Sequence, residues 1–216
     1  MGGMHGFGPV LEPGGELPYH EAWEARVFAI HMLVGLEGLG AGPGGRAVRE
    51  EMEPSAYLGA SYYERWLFSA ERRLERKGTI APGDVERMIE RLATGEPVPS
   101  HRDAAMAERA LGRLRSSPPI GPPPAGARFG PGDRVRVRRM HPPGHTRCPR
   151  YVRGATGVVE AVRGADRLPD RAVYGEPAEP EAVYAVALRS QELWGEGAGE
   201  PFTVALDVYE SYLEPA

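Results

Sequence analysis

A single cysteine, Cys148, stands in 216 residues, and that scarcity excludes an internal disulfide framework and any zinc site built on several thiolates. Nor does any run approach the ~20 consecutive apolar residues of a membrane span, and the N-terminus has no charged-then-apolar signal pattern. These absences predict a reduced, cytoplasmic protein with no membrane segment. Net positive charge is missing too: 26 Lys and Arg stand against 30 Asp and Glu, for a formal charge of -4. That balance argues against a general nucleic-acid binder, although arginine is locally dense. No Ser/His/Asp constellation, phosphate-cradling loop or pair of acids stands out.

Glycine and proline are plentiful, 29 and 22 residues, and they divide the chain. Its length allows one large domain or two modest ones, and a change of hydrophobic period favours two. Residues 1–18 hold too many glycines and prolines for regular structure. They read as an extended arm laying Phe7, Val10 and Leu11 on a neighbour, or as a ragged terminus.

Residues 19–115 read as a helical domain. Trp23, Val27, Ile30 and Val34 recur at helical spacing, with His31 beside them as a core or pocket-wall residue more readily than a ligand. Six glycines in the eleven residues 35–45 predict a loop that delivers Arg46. Ser61-Tyr-Tyr-Glu64 reads as a capping box. It opens a helix with Tyr63, Leu67, Ala70 and Leu74 on one stripe and Gly78 placed to end it. Tyr62 then sits at a helix N-terminus, where a phenol can face a cavity; alternatively Tyr62, Tyr63 and Trp66 are simply core aromatics. Two more helices are predicted over 82–92, with Val85, Met88, Ile89 and Leu92 on one face, and over 103–114.

The proline-rich stretch 116–127 reads as a semi-rigid linker. Beyond it, over 128–216, the period becomes two: Arg134-Val-Arg-Val-Arg138 alternates strictly, and further strands are predicted over 157–162, 182–188 and 202–209. A Gly-Asp turn, a strand, a proline-rich loop and then Arg-Gly-x-x-Gly-x-Val resemble an SH3-like barrel. The predicted fold class is therefore α+β, a mostly helical N-terminal domain with an extended arm followed by a C-terminal SH3-like small β-barrel or roll.

The loop His141-Pro-Pro-Gly-His145-Thr-Arg147-Cys-Pro-Arg150-Tyr151-Val-Arg153-Gly154 gathers two histidines, the cysteine and three arginines. Such residues are costly to bury unpaired, so the loop is expected to face a partner, a ligand or solvent. His141, His145 and Cys148 are potential metal ligands, but the prolines prevent a helical face and no distant cluster completes a tetrahedral set, so no metal ligand is assigned to this chain. Cys148 as a nucleophile would need its thiolate stabilised by Arg147 and His145; the plainer reading is a structural thiol.

Gly6-Phe7-Gly8-Pro9, Glu21-Ala-Trp23-Glu24, Arg46 followed by Met52-x-Pro54-x-x-Tyr57-Leu58, Tyr62-Tyr63-x-x-Trp66, Gly144-His145-Thr-Arg147-x-Pro-Arg150-Tyr151-x-Arg153-Gly154-x-x-Gly157 and Glu192-Leu-Trp194-Gly195 occur in this order. Together they resemble the nitrile hydratase β subunit. That resemblance implies an αβ heterodimer, or a dimer of heterodimers, hydrating a nitrile to an amide. It implies a non-corrin cobalt(III) or non-haem iron(III) held by a cysteine cluster of the α subunit, two of whose cysteines are oxidised to sulfenic and sulfinic states.

By position Arg46 and Arg147 match the β arginines that hold those oxidised sulfurs, Tyr62 matches a pocket tyrosine, and Trp66 matches a pocket-wall position. His31 and Tyr63 are expected beside them in the substrate pocket. Arg65 stands where some relatives have histidine, His31 where some have an aromatic residue, and Gly42 and Gly45 where bulkier side chains are usual, which implies a wider or more mobile pocket wall near Arg46. The related alternatives are a β-like subunit of a thiocyanate hydrolase-type enzyme and a non-enzymatic metallochaperone. An unbroken β-like chain speaks against the first, and neither the metallochaperone nor a plain interaction module has a reason to carry Arg46, Tyr62 and Arg147 together.

Overall fold

The structure, a computed structural model, describes residues 18–98, 100–116, 121–195 and 200–216. The arm expected over residues 1–18 lies outside the described residues but for Pro18, and so does 117–120 of the linker. The described residues fall into two units, one helical over 18–116, the other built on strands over 121–216. Among them no helix is long and apolar enough to cross a membrane.

In the helical unit α1 spans Ala22–Leu36. It starts at Ala22 because Glu21 and Glu24 form a capping box, the Glu24 carboxylate accepting from the Glu21 backbone N–H at 3.2 Å. Of the expected stripe only Val27 and Val34 are buried, while Trp23 and Ile30 remain exposed. The loop expected before Arg46 closes one residue early. Gly45–Arg49 is a short helix, α2, whose Ala47 and Val48 are buried, so Arg46 stands on a helix.

Pro54–Gly59 forms α3, capped by the Glu53 carboxylate. Helix α4, Tyr62–Lys77, carries the expected capping box of Ser61 with Glu64 and ends at Gly78 in the left-handed conformation. Both α1 and α2 pack on α4. Helix α5, Asp84–Ala93, leaves its apolar face open: Ile89 and Leu92 are each 60% exposed. Helix α6, Ala104–Ser116, packs on α1. There Arg109 and Arg113 reach the largely buried Glu37 carboxylate at 3.2 and 2.8 Å.

The second unit holds β1 (Arg134–Val137), β2 (Thr156–Arg167), β3 (Pro180–Arg189), β4 (Thr203–Tyr209) and β5 (Leu213–Pro215). Every pairing is antiparallel, in the order β4-β3-β2-β1-β5. The closed barrel expected from the strand spacing is not formed: β4 and β5 remain the edges of an open sheet among the described residues. Two register shifts in β2, between Val159 and Ala161 and between Val162 and Gly164, break its ladder with β3, and such irregularities bend a sheet and strengthen its twist. Two short helices interrupt the strands, α7 (Pro169–Ala172) before β3 and α8 (Ser190–Trp194) after it. The core is Val135, Val137, Val152, Val159, Tyr184, Val186, Leu188, Tyr212 and Leu213, with Cys148 buried among them.

Candidate functional site

Two side-chain constellations carry the residues singled out in the sequence, one in each unit. In the helical unit the faces of α2 and α4 bound a cleft of about 260 Å³, lined by Arg46, Arg49 and Glu50 from the α2 segment, Tyr57 from α3, and Tyr62, Arg65 and Trp66 from α4. The capping box fixes where α4 begins and thereby puts Tyr62 on the first turn, 60% exposed, with Trp66 one turn behind it at a ring distance of 5.6 Å. Ser69, fully buried, donates to the Gly45 carbonyl at 3.0 Å and ties α2 to α4. Arg65 is used internally. It donates to the Tyr57 and Ala60 carbonyls at 2.9 and 2.7 Å and lies over the Tyr57 ring, binding the C-terminal end of α3 to α4.

Arg46, Tyr62 and Trp66 therefore share one cleft, whereas Tyr63 and His31 stand outside its lining. The Tyr63 hydroxyl donates to the Pro18 carbonyl at 3.3 Å, and its ring meets Tyr19 at 5.5 Å. The His31 imidazole packs behind Trp66, 4.5 Å between rings. Burial first, and then the charges of Arg49 and Arg73, lower its pKa to about 4. Among the described residues its Nδ1 and the indole Nε1 of Trp66 are buried without a hydrogen-bond partner.

The space expected from Gly42 and Gly45 does not open the cleft. A Cβ at Gly45 would stand 2.6 Å from His31 Nε2, and one at Gly42 would meet the Arg76 side chain. The volume those glycines give up is taken by the histidine and the arginine, so the wider pocket wall expected at these positions is not there.

Arg49 escaped the sequence reading. Its signal was the i, i+3 spacing from Arg46, which becomes one face only once 45–49 is helical. The Arg49 guanidinium stands over the Trp66 ring at 4.7 Å. Burial and then the neighbouring Arg46 charge lower its pKa.

In the strand unit the loop between β1 and β2 is laced to its surroundings through the backbone. Arg153 donates to the Met140 carbonyl at 2.8 Å and twice to the Cys148 carbonyl, at 3.3 and 2.9 Å. The Arg147 N–H donates to Asp170 Oδ1 at 3.1 Å and to the Tyr212 hydroxyl at 3.2 Å, and the buried Tyr212 hydroxyl itself donates to Asp170. Burial and then that acceptor raise the Tyr212 pKa. The His145 N–H donates to the Tyr174 hydroxyl at 2.9 Å, and a Cβ at Gly144 would stand 2.5 Å from that hydroxyl. With its backbone pinned, Arg147 leaves its side chain exposed beside Tyr209, whose phenol feels the guanidinium charge. Cys148 is buried and its pKa is raised, by burial first, which makes it a core thiol and a poor nucleophile.

Among the described residues no three His, Cys, Asp or Glu side chains gather into a metal-ligand group. Larger hollows lie elsewhere, among them an apolar groove of about 640 Å³ between α1 and α6, and a trough of about 780 Å³ on the sheet, bordered by Arg134 and Arg189. The trough holds Gly157 and Glu192 of the motifs, and the Glu192 carboxylate accepts the Thr156 N–H at 2.8 Å.

Two family models match the chain, described as nitrile hydratase beta subunit, N-terminal, over residues 1–110, and nitrile hydratase beta subunit, C-terminal, over 118–215. The chain belongs to the nitrile hydratase β-subunit family. It is 34% identical over 218 residues to the nitrile hydratase subunit beta of Pseudomonas putida, covering 100% of this chain and 97% of that one. To the cobalt-containing nitrile hydratase subunit beta of Pseudonocardia thermophila it is 33% identical over 221 residues, covering 99% and 94%. The thiocyanate hydrolase subunit alpha of Thiobacillus thioparus is similar over only 42% of this chain and 73% of its own length, at 33% identity. Arg46 stands in the cleft and Arg147 on the laced loop.

Proposed function

We propose that this chain is the β subunit of an αβ nitrile hydratase, or of a dimer of such heterodimers, which adds water to a nitrile to give an amide and acts in the cytoplasm. The observation that carries the reading is the match to nitrile hydratase β subunits along the whole chain, both halves included. A partial match to a thiocyanate hydrolase subunit does not favour that rival.

In this reading a cobalt(III) or iron(III) centre on the α subunit supplies Lewis acidity toward nitrile or water; cobalt is suggested by the names of two relatives. The contribution assigned to this chain is hydrogen bonding. Arg46 and Arg147 are assigned to the oxidised cysteine oxygens of the partner. A guanidinium stays charged and offers a planar fork of donors, a better match to sulfur oxygens than a single ammonium. The exposure of both side chains, each on a backbone held by neighbours, supports that role. Tyr62 is assigned a hydrogen bond into the pocket and Trp66 its wall, with Tyr63 and His31 behind them.

The strand unit is assigned to the SH3-like class. A long loop after β1, the 3-10 turn Glu210–Tyr212 and the pairing of β5 back onto β1 support this. The test is production of this chain with and without an α-type partner carrying a Cys-x-x-Cys-Ser-Cys cluster, followed by metal analysis and an assay for amide formation. Stoichiometric metal and amide only in the co-produced complex are expected. A metallated, correctly oxidised complex that leaves nitriles untouched would reject the enzyme reading and favour the metallochaperone.

A further inference from the structure

Two guanidiniums border the cleft of the helical unit without a described carboxylate bonded to either. Arg65 is committed to the Tyr57 and Ala60 carbonyls, and Arg76 is paired with Glu51 at 2.5 Å. Arg49 differs from both. Its guanidinium lies over the face of Trp66, at 4.7 Å, and among the described residues it has no ion pair. Glu50 borders the same cleft but is the weakest of the influences on Arg49, behind burial, Arg46 and the two tyrosines. Holding two like charges together, partly out of water, is unfavourable, and an anion that enters the cleft relieves it.

In the complex the oxidised sulfurs of the α subunit take up Arg46. Nothing in that assignment takes up Arg49, one helical turn further on and against the pocket-wall tryptophan. We propose that the cleft selects nitriles bearing a carboxylate, and that Arg49 is the specificity residue that receives this carboxylate beside Trp66. The inference rests on the nitrile-hydrating reading and deepens it by naming a substrate class. The carboxylate is a handle only: water adds across the carbon–nitrogen triple bond as for any nitrile, and no bond to the carboxylate changes. A volume of about 260 Å³ suits a short chain between the two groups.

The experiment compares cyanoacetate with its uncharged isostere isovaleronitrile, using the metallated αβ complex and reading the ratio of their kcat/KM values. A charge-assisted hydrogen bond made in a half-buried cleft predicts that Arg49→Gln lowers the cyanoacetate-to-isovaleronitrile ratio by about tenfold or more, mainly through the KM of cyanoacetate, with part of the ratio restored in Arg49→Lys. Should Arg49→Gln fail to assemble, the wild-type complex decides alone. Its ratio is expected to fall several-fold between low salt and about 1 M salt, because the selected interaction is between charges. An unchanged ratio in an intact Arg49→Gln complex, or a salt-independent ratio in the wild type, overturns the proposal while leaving the hydratase reading standing. Failure of the metallated complex to hydrate either nitrile removes both.

Discussion

Arg147 is placed through its backbone by groups distant in the sequence. Its N–H is fixed by Asp170 and Tyr212, and its guanidinium is left in solvent. Replacing it with lysine keeps the charge and loses the planar fork. Arg147→Lys should lower turnover of the assembled complex by at least about tenfold, equivalent to roughly 1.4 kcal/mol of barrier, and near-normal turnover with intact, oxidised cysteines would remove Arg147 from the site. Arg150, exposed on the same loop, is the control. Arg153 is not an innocent one, since it holds two carbonyls of that loop. For Tyr212→Phe, the buried hydroxyl that bridges Arg147 and Asp170 is lost, and a stability loss of about 1–3 kcal/mol is expected by urea unfolding, the cost of a buried hydrogen-bonding group left unsatisfied. A loss indistinguishable from zero would mean that Asp170 alone secures the loop.

Between elements, the approach of α1 to α2 depends on one glycine facing one histidine. Gly45→Ala would drive a Cβ into the His31 ring and should cost about 1–3 kcal/mol. The same change in a His31→Ala background should cost measurably less, by more than about 0.5 kcal/mol of coupling in the double-mutant cycle. Additive costs would show that the ring does not set the spacing.

His31 also gives this contact a pH signature. Its folded pKa, about 4, lies below its ordinary 6.5, so the fold prefers the neutral ring. Above 6.5 the group adds no pH dependence; as pH falls from there toward 4 the unfolded chain takes up the proton first and stability is lost. The urea midpoint of His31→Phe should therefore fall less steeply than that of the wild type across this window, and parallel curves would contradict it. The capping box of α4 was legible in four consecutive residues because it is closed by neighbours three apart. Helix α2 was not, because glycine-rich sequence has no helical preference of its own, and its Val48 and Gly45 carbonyl are secured by α4.

At the scale of the molecule, the open faces point to a partner. Ile89 and Leu92 on α5, Trp23 and Ile30 on α1, and the stacked Tyr151, Trp194 and Phe202 of the strand unit are all exposed. We expect an obligate interface of the large class, over roughly 2,000 Å² in total. The isolated chain should self-associate or bind a hydrophobic dye, and co-production with the α subunit should abolish both; a monodisperse, dye-silent monomer indifferent to the partner would defeat the expectation.

What the sequence by itself determined is what neighbours within about four residues encode, the period of α1, α4, α5 and α6 and of β1 to β4 and the Ser61 cap, together with the family, through the order of its motifs. Tertiary structure alone decided which part of an apolar stripe is covered, so that Val27 and Val34 are buried while Ile30 is not. It also decided that the sheet stays open, that Arg49 joins Arg46 against Trp66, and that Arg147 is pinned from Tyr212, 65 residues away. The reason is physical. A cap or a period is closed by local hydrogen bonds and spacing, whereas burial, like-charge neighbours and a hydroxyl bridging two distant segments exist only once the chain has brought those segments together.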